Sequence, residues 1–251
     1  MNTQQFQYEF GIHMNQFDSA LQLSSDDIFY WLNKAQETFV ISRYNGNNLL
    51  KKGFEQSQQV IDDIRVLLVK DKSIGAEYLG GSEYSLDKFF AYFGEFPDNH
   101  LFLINNRTKV AYNFPELQIV NGQPVAPYKE KVVGNRFSQS DDIFKLLSDP
   151  FNTTKPTSPL TDISEKGITV YTDKTFLAKD IIISYIRKPK YLTLTVNDNT
   201  QTTQCELPSH TYKEIIQLAV DLFLQNTREL KQRLQRETPT ADKQQNIEEN
   251  E

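Results

Sequence analysis

The chain contains one cysteine and one tryptophan in 251 residues. A lone thiol, Cys205, excludes an internal disulfide and any cysteine-rich zinc centre. The fold is expected to form without covalent staples, as in a protein made in a reducing cytoplasm. Histidine is scarce as well, and His13, His100 and His210 fall in three different predicted elements. No run of about 18 apolar residues exists, so no transmembrane helix is expected. The opening Met1-Asn2-Thr3-Gln4-Gln5-Phe6 lacks the basic and apolar regions of a signal peptide. No Walker loop, Gly-x-Gly-x-x-Gly, His-Glu-x-x-His or Gly-x-Ser-x-Gly is present, which removes the common nucleotide, zinc-protease and hydrolase signatures. Basic charge is also in deficit: 27 Lys+Arg against 33 Asp+Glu give a net charge of −6. A protein whose main task is coating nucleic acid needs a clustered basic surface, so that class is disfavoured, although a local contact with DNA is not.

What is present points to a folded protein with large contact surfaces. Apolar residues make up 38% and aromatics 12%, with Phe 17 and Tyr 12, enough for one sizeable core or two small ones. Phe6, Phe10, Met14 (or His13), Phe17 and Leu21 recur at helical spacing over residues 3–21. Ser24-Ser25-Asp26-Asp27 then supplies a cap for a second helix through Ile28, Trp31, Leu32, Ala35 and Phe39 to about Tyr44, with Asn45-Gly46 as its stop. A third helix is expected over residues 49–69, with Phe54, Val60, Ile61, Ile64, Leu67 and Leu68 inward. These three make a helical subdomain over residues 1–70.

After Lys70 the pattern turns to strands: 89–93, 100–104, 109–112 and 117–120, with turns at Pro97-Asp98-Asn99 and Ile104-Asn105-Asn106-Arg107 and a hairpin signal at Asn121-Gly122. The string Ser-Asp-Asp-Ile-Phe occurs at Ser25–Phe29 and again at Ser140–Phe144, read as one N-cap solution used twice. The second copy opens a short helix near 140–149. Residues 152–166 read as a loop, and strands are expected at 167–171, 180–186 and 191–196. Residues 71–208 are thus mainly antiparallel β. A long helix follows over 209–237, opened by a capping box at Thr211-Tyr212-Lys213-Glu214 and carrying Tyr212, Ile215, Ile216, Ala219, Phe223 and Leu224 as its inner stripe. Residues 238–251 are polar and acidic and are expected to be disordered. The fold class is α+β: an N-terminal helical subdomain, an antiparallel β region and a long C-terminal helix.

The chemistry is thin. Cys205 and His210 are the one pair that could act as thiolate and base. No oxyanion site or orienting group accompanies them, so Cys205 is read as filling a small apolar hole and His210 as a residue of the first helical turn. Asp26-Asp27 and Asp141-Asp142 stand at predicted helix starts, where negative charge complements the dipole. Asp62-Asp63 is read as a solvated helix face. No catalytic, metal or cofactor-binding residue is assigned. Of the basic clusters, Lys51-Lys52 reads as ordinary solvated charge. Arg187-Lys188-Pro189-Lys190 is a candidate subunit interface, because the proline holds the charges at a rigid bend. Leu230 and Leu234, the apolar residues of the distal helix, are interface candidates too.

Several short strings occur in a telling order. They are Phe6–Phe10 (FQYEF), Leu32-Asn33-Lys34-Ala35-Gln36, Gly53-Phe54-Glu55, the run Asp141–Asn152 ending in a Pro-Phe step, Val170-Tyr171-Thr172-Asp173, Ile186-Arg187-Lys188-Pro189, Cys205-Glu206-Leu207-Pro208 and His210-Thr211-Tyr212-Lys213-Glu214-Ile215. Together they span most of residues 6–225. In this order they resemble the tail-adaptor (ring) proteins of crAss-like short-tailed phages, which infect gut Bacteroidetes. The Gln- and Asn-rich start and the polar stretch after Gln225 depart from that pattern.

The resemblance implies a virion structural protein, not an enzyme, with no cofactor. Copies would form a homo-oligomeric ring of twelvefold symmetry in the head-to-tail connector, beneath the portal protein and against other ring and tail proteins. Genomic DNA would pass through the lumen during packaging and ejection. No membrane is involved; the chain would be made in the bacterial host cytoplasm and reside in the neck of the virion. Two alternatives stay open: another tail-hub or baseplate component, or a processing enzyme whose site is assembled from scattered acids such as Asp62 and Asp63.

Overall fold

A computed structural model describes residues 2–15, 23–45, 61–79, 89–112, 118–120, 123–125, 129–173, 175–193 and 204–237; for 118–120, 123–125 and the end of the last helix only the backbone is described. The architecture is α+β, with helices at both ends and mainly antiparallel sheets between them. Helices α1 (Thr3–Asn15), α2 (Ser25–Tyr44), α3 (Ile143–Ser148) and α4 (Tyr212–Glu237) are joined by a helical turn at 61–64 that runs into a 3-10 turn, Arg65–Leu67. Contacts divide the chain into two units: Met1–Leu67 with Pro189–Glu251, and Leu68–Lys188. The sequence reading lists the helical subdomain and the last helix as separate successive segments, whereas here they share one unit.

The helical unit is built on apolar stripes. Phe6, Phe10 and Met14 of α1 are buried at i, i+4 and i+8, and Ile28, Trp31, Leu32, Ala35 and Phe39 line α2. Ile215, Ile216, Ala219, Val220 and Phe223 face them from α4. The Phe6 ring lies 5.0 Å from Tyr212, and Trp31 meets Phe223 edge-on at 5.8 Å. The 26 residues of α4 give a rod of about 39 Å at 1.5 Å per residue. Its described side chains turn polar after Leu224, with Gln225, Asn226, Arg228 and Glu229 all exposed.

The caps differ in part from expectation. Ser24 caps α2: its Oγ accepts from the Asp27 amide at 3.2 Å and donates to the Asp27 carboxylate at 2.6 Å. A reciprocal box exists at α1, where Asn2 Oδ1 accepts from the Gln5 amide (2.8 Å) and Gln5 Oε1 from the Asn2 amide (2.9 Å). The box expected at Thr211-Glu214 does not form. Thr211 is buried and donates to the Pro208 carbonyl at 2.8 Å inside the 3-10 turn Ser209–Thr211, and Glu214 reaches instead to Arg43. The second Ser-Asp-Asp string likewise is no copy of the first, because Asp142 at the N-cap of α3 makes no side-chain cap bond and accepts from Lys145 at 2.9 Å.

Among the described residues the other unit holds eleven strands. These are β1 (Leu68–Ser73), β2 (Glu77–Tyr78), β3 (Phe89–Glu95), β4 (His100–Tyr112), β5 (Gln118–Val120), β6 (Gln123–Val125), β7 (Lys129–Gly134), β8 (Arg136–Phe137), β9 (Leu160–Ile163), β10 (Gly167–Asp173) and β11 (Phe176–Arg187). One sheet runs β1-β11-β4-β7, a second β2-β3-β10-β9-β8, and β5-β6 form a hairpin. All pairs are antiparallel except β8 with β9. Strand β10 shows why the two sheets stack. Ile168 and Val170 point into a core with Tyr92, Leu177, Ile181, Ile183 and Tyr185, while Tyr171 points to the other side, against Ile143 and Leu147 of α3. Alternation at period two thus makes β10 the buried middle of three layers.

Sheet edges carry charge or are short. β1 presents Lys70, Asp71 and Lys72, β7 presents Lys129, Glu130 and Lys131, and β2 and β8 are two residues each. Such edges resist pairing with another chain. Glu130 accepts from Lys109 (2.6 Å) and Lys179, which hold its carboxyl down at about 2. Asp71 adopts φ 52 where β1 bulges, a left-handed geometry that Asp tolerates, and is tied to Arg107 and to Ser184.

Several expected boundaries move. Leu68 and Val69 belong to β1 and not to a third helix, and Ile61 is exposed. The turn expected at 104–107 is the middle of the 13-residue β4, since Asn105, Asn106 and Arg107 pair with Ser184, Ile183 and Ile182; the β11 ladder, joined by β7 from Arg107 onward, outweighs the weak strand preference of Asn. Leu160–Ile163, assigned to a loop, is β9. Tyr191 and Leu192, expected in a strand, have no regular structure. Phe17, Leu21, Phe54, Val60, the strand residues 194–196 and the stretch 238–251 lie outside the described residues.

A Cβ built on Gly167 would stand 2.1 Å from the Gly94 carbonyl oxygen, whereas one on Gly134 meets nothing within 4 Å. Gly167→Ala is expected to cost about 1–3 kcal/mol as overpacking against backbone, and Gly134→Ala no more than about 0.5 kcal/mol. Urea denaturation of the two variants measures the difference, and equal midpoints would contradict the packing described.

Candidate interaction surfaces

The sequence-predicted acids and bases are used inside the fold. Asp63, expected on a solvated face, is 1% exposed. Its Oδ2 accepts from Arg43 Nε at 2.9 Å and its Oδ1 from His210 Nε2 at 2.7 Å. Arg43 also donates to Glu214 Oε2 at 2.6 Å. One helix end, one short turn and the start of α4 are therefore held by three charged groups, Arg43, Asp63 and Glu214, together with the His210 ring. Asp62 stays outside and pairs with Arg65 at 3.7 Å. The two carboxylates thus diverge and do not form an acidic pair.

Cys205 and His210 do not meet in a dyad. Cys205 is buried and donates weakly to Gln36 Oε1 at 3.5 Å, and burial pushes its thiol up to about 11. A thiol that stays protonated at neutral pH is a poor nucleophile. His100 stacks on Phe96 with ring centroids 4.1 Å apart, and burial followed by nearby Lys188 lowers its pKa. Among the described residues no group of three or more His, Cys, Asp or Glu is placed to hold a metal.

The string Leu32–Gln36 acquires a physical role. Asn33 Oδ1 accepts from the Leu192 amide at 2.7 Å and its Nδ2 donates to the Leu192 carbonyl at 3.1 Å. Gln36 donates to Asn33 at 3.1 Å and accepts from Cys205, and Glu37 accepts from the Tyr191 hydroxyl at 2.8 Å. Polar side chains of α2 therefore bolt down a returning chain that has no secondary structure to satisfy its own backbone.

The basic bend divides between the two units. Arg187 closes β11 and donates to the Lys188 carbonyl (3.3 Å), and the Lys188 amide donates to Asn99 at 2.8 Å. Pro189 is buried, and Lys190 uses both its amide (3.2 Å) and its ammonium (3.3 Å) on Glu206. Lys188 stays exposed. The side chains of Leu230 and Leu234, together with Lys51-Lys52 and Gly53-Phe54-Glu55, lie outside the described residues.

Exposed aromatics are the surface feature that charge-based reading missed. Phe137, Phe144 and Phe151 are 57%, 48% and 83% exposed, all within the β8–α3 stretch and the turn after it. On the helical unit, Tyr8 (70%) and Ile12 (41%) lie one turn apart on α1. They line a groove of about 850 Å³ with Gln5, Glu9 and His13 and with Lys213, Glu214 and Gln217 of α4. The helical wheel of α1 carries the signal for the groove, since Tyr8 and Ile12 fall off the Phe6-Phe10-Met14 stripe.

Residues 1–233 match the family model described as phage tail ring protein 3/4, and the chain belongs to this family of crAss-like phage ring proteins. No curated protein matches it.

Two outcomes test the internal assignments. Asp63→Ala removes the buried partner of Arg43, which is a quarter exposed and keeps Glu214, so the loss is expected below the roughly 3–5 kcal/mol for breaking a buried pair outright. Arg43→Ala combined with Asp63→Ala should cost less than the sum of the singles in a denaturation cycle; strict additivity would dissolve the network. Modification of Cys205 by a disulfide reagent should be slow in the folded chain at pH 8 and accelerate only as pH approaches 11. Because the folded thiol's pKa is raised, its contribution to stability is complete below the ordinary thiol range and is lost as pH rises towards 11. Rapid labelling at pH 8 without unfolding would contradict the buried thiol.

Proposed function

We propose that this tail ring protein forms a closed homo-oligomeric ring in the head-to-tail connector of a short-tailed phage, joining portal to tail around the DNA channel. The observation that carries the reading is the family match through residues 1–233. The geometry supports it. Histidine, thiol and buried carboxylate, the usual instruments of catalysis, are spent on internal bonding at Asp63, His210 and Cys205. Aromatic side chains are displayed outward instead, as at protein–protein contacts. A net charge of −6 suits a wall that DNA passes without being held, since phosphate binding needs clustered cations.

In this reading twelve copies surround the channel, the portal lies above and other ring or tail proteins lie below. Neighbouring copies meet through two different faces, as rotation around a ring requires. Half-buried Arg187 and exposed Lys188, at the end of β11, and Leu230 and Leu234, on the distal part of α4, remain contact candidates. The role is architectural and involves no turnover and no cofactor. A reconstruction of the virion neck tests it: the expected result is a ring of this chain encircling the axial DNA between portal and tail. Density for the chain only at a baseplate, or its absence from particles, would overturn it.

A further inference from the structure

The most exposed large apolar residue among those described is Phe151, and the turn that carries it is unusually well tied. Asp149 Oδ1 accepts from the Phe151 amide at 2.9 Å and Oδ2 from Asn152 Nδ2 at 2.6 Å. The Asn152 and Thr153 amides donate to the Asp149 carbonyl at 3.2 and 2.9 Å. Arg136 reaches across from β8 to the Asn152 carbonyl and, at 3.2 Å, to that of Thr153. Lys155 Nζ donates to the Phe151 carbonyl at 3.1 Å. Buried Thr154 then fixes the exit, donating to the Tyr171 carbonyl at 2.6 Å and accepting from the Leu160 amide at 3.2 Å. Hydrogen bonds from Phe151 and Asn152 hold the Asp149 carboxyl below its usual range, which keeps the clasp ionised. Pro150 fixes one more dihedral within it. An aromatic ring held in this way has lost its ordering entropy before any partner arrives, the condition under which a contact contributes most to affinity.

We propose that Phe151 is the knob of the subunit contact and that a second copy of this chain receives it in the α1–α4 groove, between Tyr8 and Ile12. The inference rests on the ring reading. A ring contact needs two unlike surfaces on each copy, and the described residues provide a convex one and a concave one. Charge agrees with the pairing: Lys155 stands beside the knob, and the groove sets two carboxylates, Glu9 and Glu214, against a single lysine, Lys213. Strand addition is the competing mode of self-association. The charged β1 and β7 edges and the two-residue β2 and β8 edges disfavour it, which leaves side-chain docking.

Replacing Phe151 by the photo-reactive p-benzoyl-phenylalanine in the full chain, mixing isotopically light and heavy copies and irradiating the assembly tests this directly. The expected product joins position 151 of one copy to a peptide containing Tyr8–His13 or Lys213–Gln217 of another. In parallel, Phe151→Ser should raise the concentration needed for assembly about 30-fold, the scale of a hot-spot residue, with the melting temperature of the unassembled chain unchanged. Rings that cross-link elsewhere, or a Phe151→Ser chain that assembles as readily as the wild type, overturn this contact while leaving the ring intact. A chain that stays monomeric at every concentration overturns the contact and the ring reading together.

Discussion

A buried carboxylate must be neutralised, and Asp63 is the place where the helical unit meets that demand. Its two oxygens face two hydrogen-bonding partners, the Arg43 guanidinium from the end of α2 and the His210 ring from the turn before α4. Arg43 passes the constraint on to Glu214. The arrangement joins three segments far apart in sequence, and it depends on all of them: removing one partner leaves charge in a place where water cannot screen it. The position of α4, and with it the groove walled by Lys213, Glu214 and Gln217 against α1, follows from this network.

The same economy runs through the rest of the molecule. Polar groups that resemble catalytic parts in isolation are bonding elements here: Asn33 and Gln36 hold Leu192 and Cys205, and Thr154 pins the turn after α3. The sheet unit protects its edges with charge and brevity while exposing Phe137, Phe144 and Phe151 near α3. A protein that spends its chemistry on rigidity and shows aromatics to its surroundings is built to be held in place by neighbours. Family membership and the two contrasting surfaces converge on that description.

Much of this was readable from residue order. The 3.6-residue stripes of Phe6-Phe10-Met14 and Ile28-Trp31-Leu32-Ala35-Phe39 pick out α1 and α2 because burial on one face dictates them locally. Ser24 announces its helix for the same reason. Features decided by distant partners were not readable. Asn105-Asn106 looks like a turn, yet lies in β4 because β11 pairs with it residue by residue. Thr211-Glu214 has the composition of a capping box, but Pro208 and Arg43 claim its two side chains. Asp62 and Asp63 are adjacent and chemically identical in sequence, and only the arrival of Arg43 and His210 separates the solvated one from the buried one. The Pro-Phe step at 150–151 served as a family signature without a role, since exposure cannot be seen in a linear string.

The central claim is that the chain is an assembly subunit whose contacts close on themselves. Native mass spectrometry of the purified full-length chain tests it most directly. The account predicts one dominant species at a fixed integral multiple of the 29.1 kDa subunit mass, dissociating to folded monomer on dilution. A monomer at all concentrations, or an open ladder of lengths with no preferred member, would contradict it.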